Sequence, residues 1–148
     1  MENPKIKEIE RLFLDFIPLY YKKLSPIFRE EDGAGLRCHK NQKRAIMVIQ
    51  RKKGVILSEL GRYLDMRKGS LTSLIDSLVK NGLVERREDR SDRRKTLLYL
   101  TEAGEEYYQK MMAQTSKTYQ KLFSKLSPEE IENCLCGLQL VVDALKKI

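Results

Sequence analysis

The chain has 148 residues, enough for one domain or one compact unit with flanking helices. Its 29 basic residues against 21 acidic ones leave a formal charge of +8, which favours a polyanionic partner, and 41% hydrophobic residues suffice for a core. No apolar run approaches the roughly 18 residues of a membrane helix, and the opening MENPKIKEIERLF lacks the uninterrupted apolar segment of a signal peptide. A cytoplasmic protein with no membrane partner is therefore expected.

Asn3-Pro4 reads as an N-cap followed by proline at the first helical position. Ile6, Ile9, Phe13, Phe16, Ile17, Tyr20, Leu24 and Ile27 then recur at helical spacing, which predicts one amphipathic helix kinked at Pro18. Arg29 to Cys38, with Gly33 and Gly35, reads as a loop. Helical spacing resumes over Asn41 to Arg51 with Ala45, Ile46, Val48 and Ile49 inward, and Lys52-Lys53-Gly54 ends it. Val55-Ile56-Leu57 is long enough for only a very short strand. Ser58 is expected to cap the next helix, which carries Leu60 and Leu64 inward, and Asp65-Met66-Arg67 makes a turn.

A second helix follows from Lys68 to Lys80, with Leu71, Leu74, Ile75 and Leu78 on one face and Asn81-Gly82 as its stop. Leu83 to Arg87 and Thr96 to Leu100 are the strands of a hairpin whose tip is EDRSDRRK, Glu88 to Lys95. Thr101 caps a long helix carrying Tyr107, Met111, Thr118, Leu122 and Leu126. Ser127-Pro128-Glu129-Glu130 starts another through a capping box, with Ile131, Leu135, Leu138, Val142 and Leu145 as its stripe. The fold class is mainly α: a winged helix-turn-helix core with a small β-hairpin wing at residues 36–100, flanked by helices at 1–35 and 101–148. The terminal helices carry apolar stripes that the core does not need. Packing the two ends together, and then against a second copy, covers them economically.

Two stretches carry chemistry. The outward face of the second helix is Lys68, Gly69, Ser70, Thr72, Ser73, Asp76, Ser77 and Lys80; small hydroxyl side chains let a helix approach base edges in a major groove. The hairpin carries Arg86, Arg87, Arg90, Arg93, Arg94 and Lys95 among Glu85, Glu88, Asp89 and Asp92. A plain phosphate patch needs no acids. The interleaving suggests guanidinium groups aimed by carboxylates, with Asp92 and Arg94 placed to form such a pair and to suit a narrow minor groove. Double-stranded DNA is the partner this layout fits.

Other chemistry is thinly supported. No His/Asp/Ser or Cys/His set shares a location, so an enzyme is not expected, and no cofactor or metal is implied. Cys134 and Cys136 fall two apart on one helix, about 200° from each other, too far round to chelate together. Cys38-His39 beside Glu30, Glu31 and Asp32 is the one metal-like grouping, and it contains the chain's single histidine. The rival to DNA binding is a winged helix used as a protein-interaction module, which needs no arginine-rich wing.

The segment LSELGRYLDMRKGSLTSLIDSLVKNGLVERREDRSDRRKTLLYLTEAGEE resembles the MarR family of winged helix-turn-helix regulators. The matching motifs are Leu83-Val84-Glu85-Arg86, Asp92-Arg93-Arg94 and Leu100-Thr101-Glu102-Ala103-Gly104. The resemblance implies a homodimer joined by its terminal helices, bound to a pseudo-palindromic operator and acting as a repressor. It implies that the Lys68–Lys80 helix reads the major groove and that Arg94, supported by Asp92, enters the minor groove. It also implies a small-molecule effector bound between the dimer helices and the winged domain, where Phe16, Tyr20, Met47 and Tyr107 are candidates. Three positions depart from the family's usual pattern: Arg67 replaces a small capping residue, Gly69 a proline and Ser73 a basic residue. Arg67 and Lys68 are then expected to reach phosphates or a guanine. The expected DNA-contacting set is Arg67, Lys68, Ser70, Thr72, Ser73, Ser77, Arg90, Asp92, Arg93 and Arg94. No cysteine precedes Cys38, which disfavours peroxide sensing, and one histidine disfavours zinc sensing.

Overall fold

The structure, a computed structural model, describes residues 3–28 and 37–148. Helix α1 spans Pro4–Leu19, and Asn3 caps it by accepting the Lys5 N–H at 3.0 Å. Pro18 has no N–H for the carbonyl one turn back, and the winding changes just beyond it. A π turn over Tyr20–Leu24 and a 3-10 turn over Ser25–Phe28 replace the single helix that the apolar spacing predicts. The expected loop glycines, Gly33 and Gly35, and the acidic run Glu30, Glu31 and Asp32 lie outside the described residues.

Helix α2 (Lys40–Lys52) begins where the His39 N–H donates to Gln42 Oε1 at 2.8 Å. It ends at Lys53, in the left-handed region at φ 47°. Strand β1 (Val55–Ile56) runs directly into α3 (Leu57–Leu64). Ser58 is not the cap: Ile56 holds that position in an extended conformation with no side-chain bond, because the chain leaves the strand straight into the helix. Asp65 closes α3 at φ 52°, and the Met66 N–H donates back to the Gly61 carbonyl at 3.0 Å. Helix α4 (Lys68–Lys80) has the expected bounds and stops at Gly82, whose φ of +72° suits glycine.

Strand β2 (Val84–Glu88) pairs antiparallel with β3 (Thr96–Leu100), Val84 opposite Leu100 and Glu88 opposite Thr96. The short strand β1 joins the other side of β3, Val55 opposite Leu98, so the sheet order is β1-β3-β2. Helix α5 (Glu102–Phe123) starts at Thr101, whose Oγ1 accepts the Gly104 N–H at 3.0 Å and donates to the Gly82 carbonyl. Gly104 sits so close to the preceding strand that a Cβ there would overlap the Leu83 carbonyl oxygen. That carbonyl also accepts the Thr101 N–H at 3.1 Å, which holds it in place. Helix α6 (Pro128–Leu145) starts on the expected capping box: the Ser127 N–H donates to Glu130 Oε2 and the Glu130 N–H to Ser127 Oγ.

One core joins α2, α3, α4, the sheet and the first turns of α5. Ile46, Ile49, Val55, Leu60, Ile75 and Leu78 are fully enclosed, and Tyr107 and Met111 close it from α5. Each such aliphatic side chain contributes about 1.5–3 kcal/mol by leaving water. Within the chain α5 packs against the turn at Ser25–Phe28, whereas α1 and α6 bury no residue at all. Phe13, Phe16 and Ile17 of α1 and Leu135, Leu138 and Val142 of α6 all lie exposed. No helix among the described residues is long and apolar enough to cross a membrane.

Candidate nucleic-acid interface

The core fixes how α4 is presented. Leu71, Ile75 and Leu78 face inward, which turns Lys68, Gly69, Ser70 and Ser73 to the exterior. Arg67 is the N-cap residue, extended at φ −68° and ψ 148°, and its side chain makes no capping bond. The first backbone N–H groups of α4 are thus left to solvent beside the exposed Arg67 and Lys68 side chains. An anion finds both a positive helix end and cationic side chains there.

Thr72 Oγ1 donates to the Lys68 carbonyl at 2.8 Å, and Ser73 Oγ to the Gly69 carbonyl at 3.2 Å. Ser77, expected outward, is half-buried, and its Oγ accepts from Gln42 Nε2 of α2 at 3.1 Å. It lies on the flank against α2 rather than at the centre of the outward face. Asp76 is occupied as well: Arg86 of β2 donates to its Oδ1 at 2.7 Å. Sequence reasoning placed both residues correctly on α4 or β2 and missed their pairing. The available signal was an acid on the outer face of a helix followed directly by an arginine in the adjoining strand.

The wing is ordered by its acids. Asp89 Oδ1 accepts from both the Ser91 N–H and the Ser91 hydroxyl, and the Asp89 N–H reaches the Lys95 carbonyl at 2.9 Å. Those serine bonds hold the Asp89 carboxyl below its usual range. Asp92 Oδ1 accepts the Arg94 backbone N–H at 3.1 Å and the Arg94 Nε–H at 3.2 Å. The expected Asp92–Arg94 pair therefore forms, with the Arg94 side chain 92% exposed and Asp92 29% exposed. Being bound at Nε, the guanidinium keeps its two terminal nitrogens for a partner. Arg90 and Arg93 are exposed at the same tip with no ion-pair partner among the described residues. Arg87 is spent otherwise, paired with Glu85 and 4.8 Å from the Tyr99 ring centroid.

A cleft of about 650 Å³ runs between α3, the start of α4 and the base of the wing. Arg62, Lys68, Arg94 and Lys95 line it, with Asp65 on its wall and Leu57 and Leu71 in its floor. Lys68 and Arg94, 26 positions apart in sequence, thus face one concave, cationic surface suited to a polyanion strand. Of the residues picked as an effector pocket, Tyr107 belongs to the core and Met47 packs against it. Phe16 and Tyr20 lie against each other at a tilt of 30°, with ring centroids 6.0 Å apart. Cys38 is buried, while Cys134 and Cys136 are exposed on α6.

Residues 39–95 match the MarR family. The chain is 35% identical over 83 residues to an uncharacterized HTH-type transcriptional regulator, YkoM, of Bacillus subtilis, a match covering 56% of this chain and 54% of that one. It is 37% identical over 73 residues to the transcriptional repressor MprA of Escherichia coli, covering 49% and 42%. The chain therefore spans about half the length of these relatives. Among solved structures it is similar to a mutant MarR from E. coli complexed with operator DNA, at a TM-score of 0.68, 25% identity, and coverage of 93% and 95%.

Proposed function

We propose that the chain, whose residues 39–95 match the MarR family, is a winged helix-turn-helix member of that family and a sequence-specific DNA-binding regulator of transcription. The observation that carries this reading is the wing tip. Asp92 pins an almost fully exposed Arg94 beside the free cations Arg90 and Arg93, across a cationic cleft from the exposed start of α4. In the proposed complex α4 lies in a major groove, and Arg67 and Lys68 meet phosphates where the groove begins. Ser70, Thr72 and Ser73 face base edges, Ser77 stands at their margin, and Arg94 enters the neighbouring minor groove with Arg90 and Arg93 along its rim. The phosphate contacts supply salt-dependent affinity, and the α4 hydroxyls supply sequence preference.

The active form in this reading is a homodimer on a pseudo-palindromic operator. Residues 1–35 and 101–148 form the dimerisation region and 36–100 the DNA-binding domain. The uncovered apolar faces of α1 and α6 support that division, since a lone chain would leave both in water. A solved relative bound to operator DNA and a relative named as a repressor favour a repressor role. A small-molecule effector would act by binding one spacing of the two α4 helices more tightly than another. Gel shift on genomic fragments across a salt series tests the reading. The expected result is a retarded species on a subset of fragments whose affinity falls steeply with salt. Equal, weak binding to every fragment would overturn it.

A further inference from the structure

Two hydroxyls on the reading face of α4 have a fixed hydrogen-bond polarity. A carbonyl oxygen can only accept, so the Thr72 and Ser73 hydroxyls must be the donors in their bonds to the Lys68 and Gly69 carbonyls. Their single hydrogens are spent on their own helix. What each turns outward is oxygen lone pairs. Asp76, one turn beyond Thr72, is acceptor-only as a carboxylate, and Arg86 donates to it from β2. Between Lys68 and Lys80 the helix KGSLTSLIDSLVK contains no Arg, Asn or Gln, so no bidentate donor reaches guanine from its middle.

Ser77 has the opposite polarity, and the structure fixes that too. The His39 backbone N–H can only donate, so the amide atom it meets is Gln42 Oε1. The other amide atom is then the nitrogen, and it donates to Ser77 Oγ. Ser77 thus has an acceptor site filled from α2 and an O–H left to give. Thr72 and Ser73 thus present acceptors, and Ser77 on the flank presents a donor.

We propose that Thr72 and Ser73 select amino bases, adenine or cytosine, over the keto bases guanine and thymine at the positions they contact in the major groove. Adenine N6 and cytosine N4 are the only base-edge donors there, and guanine O6 or thymine O4 would face an oxygen with no hydrogen to share. To read a keto base the hydroxyl must first leave its carbonyl, so the preference equals about one hydrogen bond, on the order of fivefold in Kd per contact per half-site. The inference rests on the DNA-binding reading above and adds the class of base that the helix accepts.

The test is selection of bound DNA from a random pool by the unaltered full chain, by Ser73→Ala and by Thr72→Val, a near-isosteric change. At each position where a variant loses its preference, the unaltered protein should have favoured adenine or cytosine on the contacted strand. A check with unaltered protein then needs no variant. Replacing that adenine by purine, or that cytosine by pyrimidinone, removes only the amine and should weaken binding about fivefold. The same replacement should not weaken the matching variant further. A keto base preferred at those positions, or an amine whose removal costs nothing, overturns the inference. Variants that shift no position also overturn it while leaving sequence-specific binding intact. A pool from which the unaltered protein enriches nothing overturns the functional reading itself, and this one with it.

Discussion

Removing the Arg94 guanidinium is the sharpest perturbation of the proposed interface, because the structure separates its binding role from any folding role. The side chain is 92% exposed and makes one bond, Nε–H to Asp92 Oδ1. In Arg94→Ala the turn keeps the backbone bonds from residue 94 to Asp92 Oδ1 and from Lys95 N–H to the Asp92 carbonyl at 2.8 Å. Thermal stability should therefore stay within about 0.5 kcal/mol, the usual range for a surface change. Binding should not. One arginine lost from a groove costs about 1–2 kcal/mol per half-site, so a two-site complex loses about 2–4 kcal/mol, roughly thirty- to a thousandfold in Kd. The slope of log K against log salt should shrink by about 0.9 for each arginine removed. Fluorescence anisotropy on a selected operator at several salt concentrations reads both numbers. Affinity within twofold of the unaltered protein, or an unchanged salt slope, would refute the placement of Arg94 at DNA. A large fall in melting temperature would mean that the Asp92–Arg94 pair holds the wing together rather than aiming it.

Gly104→Ala should destabilise the fold by about 1–3 kcal/mol in thermal melts, since its Cβ overlaps a Leu83 carbonyl that the Thr101 N–H holds in place. Gly69→Ala should do the reverse, because nothing lies within 4 Å of a Cβ there and alanine is the better helix former by about 0.8–1 kcal/mol; its melting temperature should rise while operator affinity falls through lost close approach. The Asp89 carboxyl is held low in the folded protein by Ser91, so its contribution to wing order is present above the unfolded value near 3.9 and disappears only as pH falls through its lower folded value. Carboxyl chemical shifts across an acid titration should give a midpoint below 3.9, and Asp89→Asn should abolish that titration.

Much of this molecule was readable because local chemistry and tertiary packing agree. Asn3, Thr101 and Ser127 are caps in sequence and in structure, and the inward set Leu71, Ile75 and Leu78 fixes α4 with no help from its neighbours. The Asp92–Arg94 pair was legible for the same reason, as both partners sit in one turn. What was not legible depends on residues far apart in the chain. Ser77 looks outward on a helical wheel until Gln42, 35 positions earlier, is seen to bond it. Asp76 looks like a solvated acid until β2 brings Arg86 alongside. Ser58 has the chemistry of a cap, but strand β1 delivers the chain into α3 two residues too soon for it to serve.

The uncovered helices pose the last question, and α6 answers part of it by its pattern. Ile131, Leu135, Leu138, Val142 and Leu145 form one arc, while Cys136, Leu140 and Ala144 recur at i, i+4 and i+8 on the other side, about 200° from Leu138 to Leu140. Leu138 is 58% and Leu140 67% exposed, so the lone chain covers neither side. A single seam against one partner helix would cover the first arc and leave Leu140 in water. A helix apolar on both sides belongs between two neighbours. Leu138→Glu and Leu140→Glu separate these arrangements, since a glutamate buried without a partner weakens association on the order of a hundredfold or more, and an exposed one does nothing. Sedimentation equilibrium should show that both variants dissociate a dimer that the unaltered chain holds. If only Leu138→Glu dissociates, the interface is one-sided and Leu140 faces solvent. If neither does, α6 is not the helix that joins the two copies, and the apolar face of α1 must carry the contact.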